Sequence, residues 1–276
     1  MGVRRSRQRV WFERWIKEGY SVRQLATQSG YSAATLRRLL GYWLARPPQA
    51  EIDLSGYRYL LMDGTYLAGR QATVVAIADP SRSRIVTGWY GVKEGSTQMR
   101  HLCWNLAEQG LQPLSVTIDG LPQMHTLVAT IWPQAMVQRC LVHVQRQGLA
   151  WCRHHPRRTD ARHLRALFLA VNSIGTQRER EAFITSWRAW ESRFGQQIAT
   201  QRESGRIFSD VKRARSMLSN ALPYMFAYLN DPQVPKSTNW LEGYFSRLKA
   251  RYRQHRGLSP MQRKNYFAWY FYLCHT

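Results

Sequence analysis

Between residues 57 and 140 the chain carries five apolar runs of strand length: Tyr57–Asp63, Thr73–Asp79, Arg84–Tyr90, Leu114–Asp119 and Met136–Cys140. Short polar turns join the first three, which predicts antiparallel pairing. Two helix-patterned stretches, Ser96–Gln109 and Leu121–Ile131, separate the later runs, which are predicted to lie parallel to their neighbours. This alternation confines the middle of the chain to a mixed α/β sheet. Everything past residue 141 reads as helix, with Leu164, Leu167, Phe168 and Val171 at helical spacing. Pro47-Pro48 breaks an earlier helical pattern and reads as a linker. No internal repeat and no low-complexity tract is present.

Charge is what separates these regions. The 276 residues hold 40 Lys+Arg against 17 Asp+Glu, a net +23. The balance is +8 over residues 1–46, −1 over 47–135, +9 over 136–235 and +7 over 236–276. A near-neutral centre between basic flanks suits a folded core surrounded by surfaces that face a polyanion, and nucleic acid is the commonest one. Only six of the cations are lysines; the rest are arginines, whose planar fork suits phosphates and base edges. No run of apolar residues is long enough to cross a membrane, and no apolar signal core follows the basic start. The four cysteines form no CxxC pair, so a reduced, cytoplasmic setting is expected.

Phe12, Trp15 and Ile16 share one face of a first predicted helix that Gly19 ends. Ser21 to Gln24 fits a capping box opening a second helix, which Gly30 breaks. Ser32 caps a third, with Leu36, Leu39 and Leu40 inside and Thr35, Arg37 and Arg38 outside. Residues 1–46 are therefore expected to be a helix-turn-helix with its third helix in a major groove. The plainer alternative is a small helical bundle whose charges face water.

Asp63 and Asp119 each stand at the end of an apolar run with a glycine behind. Ligand sites in open α/β sheets lie at strand carboxyl ends, so adjacent strands would bring the two together. Two neighbouring carboxylates repel unless a cation such as Mg²⁺ sits between them. Alternatively, each Asp-Gly is only a turn. Glu242 is the sole acid of the last forty-one residues, on a helix whose stripe Leu241, Phe245, Leu248 and Tyr252 is apolar and whose adjacent face carries Asn239, Glu242, Ser246 and Lys249. Alone it would read as a surface ion pair.

Taken together, Asp63-Gly64, Asp119-Gly120, Cys140-Leu141-Val142-His143, a helical insertion, Asn239-Trp240-Leu241-Glu242-Gly243, Leu248-Lys249 and Arg253-Gln254-His255-Arg256-Gly257-Leu258 resemble the bacterial insertion-sequence transposases of the Mutator-like superfamily. The resemblance covers nearly the whole chain. It implies an α/β fold, an RNase H-like mixed sheet with an all-helical insertion, preceded here by the helix-turn-helix domain. The expected layout is residues 1–46 for DNA binding, 47–144 for the first part of the core, 145–235 for the insertion and 236–276 for the helices completing the core. The implied catalytic triad is Asp63, Asp119 and Glu242, holding two Mg²⁺ or Mn²⁺ ions for in-line displacement at phosphorus.

Cys140 and His143 have half a zinc site's spacing. Without a second pair, a structural or DNA-orienting role is preferred to metal ligation, and His143 is a candidate contact to the scissile phosphate. Cys140, His143, Asn239 and Lys249 are expected to support the site, and Thr35, Arg37, Arg38, Arg253, His255 and Arg256 to touch DNA. The expected partners are double-stranded DNA, as terminal inverted repeats and as target, and further copies of the chain in a homodimer or larger assembly. The expected location is the bacterial cytoplasm, on the nucleoid, with no membrane. A helix-turn-helix regulator without catalysis and an RNase H-like nuclease are the competing functions. The aromatic tail Tyr266 to Tyr272, and Trp187 with Trp190, are read as packing rather than as base-stacking surfaces.

Overall fold

A computed structural model of the chain describes residues 2–48, 53–67, 72–200, 206–255 and 257–274. Five strands, β1 (Tyr59–Leu67), β2 (Ala72–Asp79), β3 (Arg84–Tyr90), β4 (Ser115–Ile118) and β5 (Met136–Arg139), form one sheet in the order β3-β2-β1-β4-β5. β2 and β3 are antiparallel, while β1–β4 and β4–β5 are parallel. The split follows the connections, a short turn for the hairpin and α-helices for the crossovers. Twelve α-helices lie among the described residues: α1 (Gly2–Glu18), α2 (Val22–Ser29), α3 (Ala33–Leu44), α4 (Thr97–Glu108), α5 (Pro122–Ile131), α6 (Leu141–Cys152), α7 (Thr159–Ala170), α8 (Gln177–Trp190), α9 (Gln196–Thr200), α10 (Arg206–Ala221), α11 (Asn239–Tyr252) and α12 (Pro260–Leu273). None is long and apolar enough to cross a membrane.

One expectation changes at β1. The strand does not end at Asp63 but runs on to Leu67. Gly64-Thr65-Tyr66-Leu67 continues as extended chain, with Tyr66 exposed and Leu67 buried, because Thr and Tyr favour a pleated, half-buried backbone.

The chain divides into two compact units. One comprises Met1–Tyr57, Met62–Gln112 and Trp240–Thr276, the other Arg58–Leu61 and Pro113–Asn239. In the first, the capping box at Ser21 and Gln24 and the left-handed Gly30 bound α2, and Ser32 caps α3. Phe12 and Trp15 of α1 then bury against α12, edge-on to Trp269 at 5.0 Å and to Tyr266 at 5.5 Å. Two hydrogen bonds fasten α3 to the same helix: Asn265 Nδ2 donates to the Leu44 carbonyl (2.8 Å) and Trp269 Nε1 to that of Trp43 (2.9 Å). The opposite side of α12 covers β3. Phe267 stacks on Tyr90 at 4.8 Å, and the Phe271 ring occupies the space a Cβ would need at Gly88. The aromatic part of α12, from Tyr266 to Phe271, is apolar around its circumference and is stable only when covered on both sides.

In the second unit, α6 to α10 surround an apolar centre that includes Leu164, Phe168, Phe183, Trp187, Trp190 and Leu218. Trp187 and Trp190 stack at 5.4 Å, and Trp190 Nε1 donates to the Asp160 carbonyl, so both tryptophans are packing residues. This helical excursion returns to its point of departure. Leu141 N–H donates to the Lys236 carbonyl (3.0 Å), Thr117 Oγ1 to that of Pro235 (2.6 Å), and the Tyr59 hydroxyl to Asp231 (2.8 Å).

His255, expected on DNA, is 5 % exposed. Its ring lies 4.2 Å from Trp15, with Nε2 3.1 Å from the Trp15 carbonyl. It belongs to the core because Trp15 covers it. Burial pulls its pKa down to about 4, against the opposing hydrogen bonds to backbone carbonyls. In the unfolded chain the ring titrates near 6.5. The unfolded state thus binds the extra proton first, so stability is complete above that value and is lost as pH falls towards 4. Urea denaturation is expected to show a larger loss on acidification for the wild-type chain than for His255→Gln, by at most about 3 kcal/mol. Equal losses would place the ring in contact with water.

Candidate active site

Asp63 lies inside β1, two residues beyond Leu61, which pairs with Thr117 of β4. It is 6 % exposed, and its Oδ1 accepts from the Gly64 N–H (2.8 Å). Asp119 directly follows β4, two residues beyond Thr117. Its Oδ1 accepts from the Leu121 N–H (2.9 Å), a side-chain turn that leads into α5.

Neither glycine behind these acids is needed for a left-handed backbone. The left-handed glycines among the described residues are Gly19, Gly30, Gly91, Gly95 and Gly110. Gly64 and Gly120 instead make room for side chains. A Cβ at Gly64 would stand 2.8 Å from the Glu94 carboxyl group, and one at Gly120 would collide with the Arg139 guanidinium. Arg139 is half-buried on β5. Burial lowers its pKa, and the nearby Asp119 carboxylate partly restores it. Arg139 and Glu94 were not singled out in the sequence. The signal for both is the glycine after each aspartate, which marks a close approach.

The structure does bring Cys140 and His143 together, with Thr238 as third member. Cys140 is the N-cap residue of α6 and is fully buried. Its Sγ accepts from the Thr238 N–H (3.3 Å) and hydroxyl (3.5 Å), and that hydroxyl lies 3.5 Å from His143 Nδ1. Burial pushes the thiol up, but the hydrogen bond and charge of His143, with both Thr238 donors, outweigh it and hold Cys140 below the ordinary thiol range. All four cysteines are buried and free. Burial alone pushes Cys103 up to about 12, and the same cause leads at Cys152, also raised to about 12.

α11 begins one residue after Thr238, so its start is tied through that residue to the end of β5. The expected stripe Leu241, Phe245, Leu248 and Tyr252 is buried, joined by Tyr244. Glu242 sits half-buried in the first turn, where the helix dipole favours a carboxylate. Asn239 is exposed and Lys249 half-buried. Of the expected DNA contacts, Arg37, Arg38 and Arg253 are exposed, Thr35 is half-buried beside the Ser32 cap, and Arg256 lies outside the described residues. Asp63 and Glu242 belong to the first compact unit, Asp119 to the second. Among the described residues, no three His, Cys, Asp or Glu side chains are gathered so as to hold a metal ion.

The family model described as "Transposase, Mutator family" matches residues 32–263. A probable transposase for an insertion sequence element of Corynebacterium diphtheriae is 27 % identical over 137 residues, 49 % of this chain and 40 % of that protein. The transposase for insertion sequence element IS905 of Lactococcus lactis subsp. lactis is 27 % identical over 143 residues, 49 % of this chain and 37 % of its own length. The transposase for insertion sequence element ISRM3 of Rhizobium meliloti is 25 % identical over 154 residues, 54 % of this chain and 38 % of its own length. The chain thus spans about two fifths of the length of these curated relatives.

The Cys140 environment has a measurable consequence. A thiol whose folded pKa is depressed contributes stability that is present above its unfolded pKa and is lost as pH falls through the folded value. Titration of ultraviolet thiolate absorbance is expected to show one group ionising below the ordinary thiol range in the wild type. That group should vanish in Cys140→Ser and move upward in His143→Ala. An unchanged titration in Cys140→Ser would assign the low value to another residue.

Proposed function

Because the chain belongs to the Mutator family of insertion-sequence transposases, we propose that it cuts and rejoins DNA at the ends of its element, with Asp63, Asp119 and Glu242 as the acidic triad of an RNase H-like core. The observation that carries this reading is the β1–β4 register. Each aspartate stands two residues beyond the register partners Leu61 and Thr117 of two parallel strands. Asp119 directly follows the carboxyl end of β4, where ligand groups gather in open α/β sheets, while Asp63 holds the corresponding register position within β1. Glu242 follows by chain connection, four residues after the Thr238 anchor.

An all-oxygen donor set suits Mg²⁺ or Mn²⁺. Two such ions would supply an acidified water and a stabilised leaving 3′ oxygen. Glu242 stands in the first turn of α11, at the positive end of the helix dipole, and Asp119 lies near the Arg139 guanidinium. His143, held by the Cys140 and Thr238 contacts, is aligned as a donor to a phosphate. Double-stranded DNA, as inverted repeats and as target, is the proposed substrate. α2 and α3 serve as the helix-turn-helix, and two copies of the chain pair the two ends.

Asp63→Asn, Asp119→Asn and Glu242→Gln are each expected to lower Mg²⁺-dependent cleavage of end-containing DNA by at least about 100-fold while DNA binding persists. Cleavage at the wild-type rate in any of the three removes that residue from the triad. A joined strand-transfer product separates a transposase from a simple nuclease, and binding without any cleavage would instead indicate a regulator.

Arg37→Ala and Arg38→Ala in the full chain are each expected to weaken duplex binding and to reduce the slope of log affinity against log salt by about 1. The full chain is the object to test, because α1 and α3 bury their inner faces on α12. An unaltered slope would move the phosphate contacts elsewhere.

A further inference from the structure

Beside Gly120, within the second compact unit, lies a groove of about 760 Å³ bounded by α5, β5, α6 and α10. Arg139, Lys212 and Arg213 line it, and none of its described lining side chains is acidic. Arg213 pairs outside the lining with Asp210 at 3.7 Å, and Lys212 and Arg213 are both exposed. Aromatic surface comes from Trp151 and from Tyr224, whose ring meets that of His125 at 4.4 Å. Two polar atoms here are buried without a hydrogen-bond partner among the described residues, Arg139 Nε and His125 Nε2. The volume matches a cleft for one or two nucleotide-sized groups and is too small for a duplex.

We propose that this groove takes a single strand of DNA leaving the cleavage site. Arg139 meets the phosphate nearest Asp119, Lys212 and Arg213 meet the phosphates beyond it, and Tyr224 and Trp151 stack on unpaired bases. The proposal rests on the reading of Asp119 as a triad member, because that reading sets where the strand begins. The groove's chemistry points the same way. Cations interleaved with aromatic faces track a nucleic-acid backbone and accept any base, since every base has a π face. A peptide or a free small anion would not call for both. Arg139 is also the cation already held beside the proposed reacting end, half-buried and with donor capacity left over.

The test uses the full chain without divalent ions and a fluorescent single-stranded deoxyoligonucleotide of about eight residues, with thymidine monophosphate and an end-containing duplex in parallel. Anisotropy is expected to show the oligonucleotide bound well above the mononucleotide. Tyr224→Leu should weaken it by about 5- to 150-fold, and Tyr224→Phe should restore it. The double variant Lys212→Gln/Arg213→Gln changes only exposed side chains. It should flatten the salt dependence of single-strand binding by about 1.4 in slope while leaving duplex binding intact. Unchanged single-strand binding in that double variant overturns the proposal, as does mononucleotide binding equal to that of the oligonucleotide. Cleavage by Asp119→Asn is scored separately. If that variant is inactive but the groove variants bind normally, the groove alone is refuted. If it cleaves normally while the groove variants lose single-strand binding, the triad fails, and the strand's origin at Asp119 falls with it, although the groove is then shown to bind a single strand.

Discussion

The hydrogen bond from Leu141 N–H to the Lys236 carbonyl closes an excursion of nearly a hundred residues. Closure entropy rises only with the logarithm of loop length, so a long insertion costs little more than a short one once its ends are fixed. Here they are fixed several times over, through Thr117 to Pro235, Tyr59 to Asp231, and Thr238 to the Cys140 sulfur. The five helices between can then build their own apolar centre without disturbing β4 and β5. The residue that starts α11 follows directly from the anchor.

The strands and the helices before residue 141 are legible in the sequence because their signals are local, while the later helices are legible only as a helical region. Period-two runs, the Ser21–Gln24 capping box and the glycine stops act over a few residues, and the observed elements agree with them to within one or two positions except at β1. What escaped was long-range. That Trp15 would cover His255 is a contact across 240 residues, and no spacing rule announces it. The continuation of β1 past Asp63 is of another kind. Asp-Gly resembles a turn, but a strand tolerates glycine where another side chain needs the room.

Of the candidate site, the residue types were legible and their company was not. The glycines behind Asp63 and Asp119 mark close approaches, but nothing local names Glu94 as the group that fills the first space or Arg139 as the one that fills the second. Cys140 and His143 were legible as a pair. Their third partner, Thr238, lies 95 residues or more along the chain, so the change from half a zinc motif to a hydrogen-bonded thiol anchor appears only in three dimensions. The family match spans Asp63, Asp119 and Glu242, and the strand register pairs Leu61 with Thr117, two residues before each aspartate.

α12 is a wall shared by two rooms. Its aromatic rings are lodged against β3 on one side and against α1 and α3 on the other, so the first forty-odd residues cannot be exchanged like a cartridge. A chimera carrying a foreign segment in place of α1 to α3 would have to bring a matching aromatic inner surface, or leave Tyr266 and Trp269 facing solvent. An exchange of segments in such a fold is therefore expected to move α1 to α3 and α12 together or not at all.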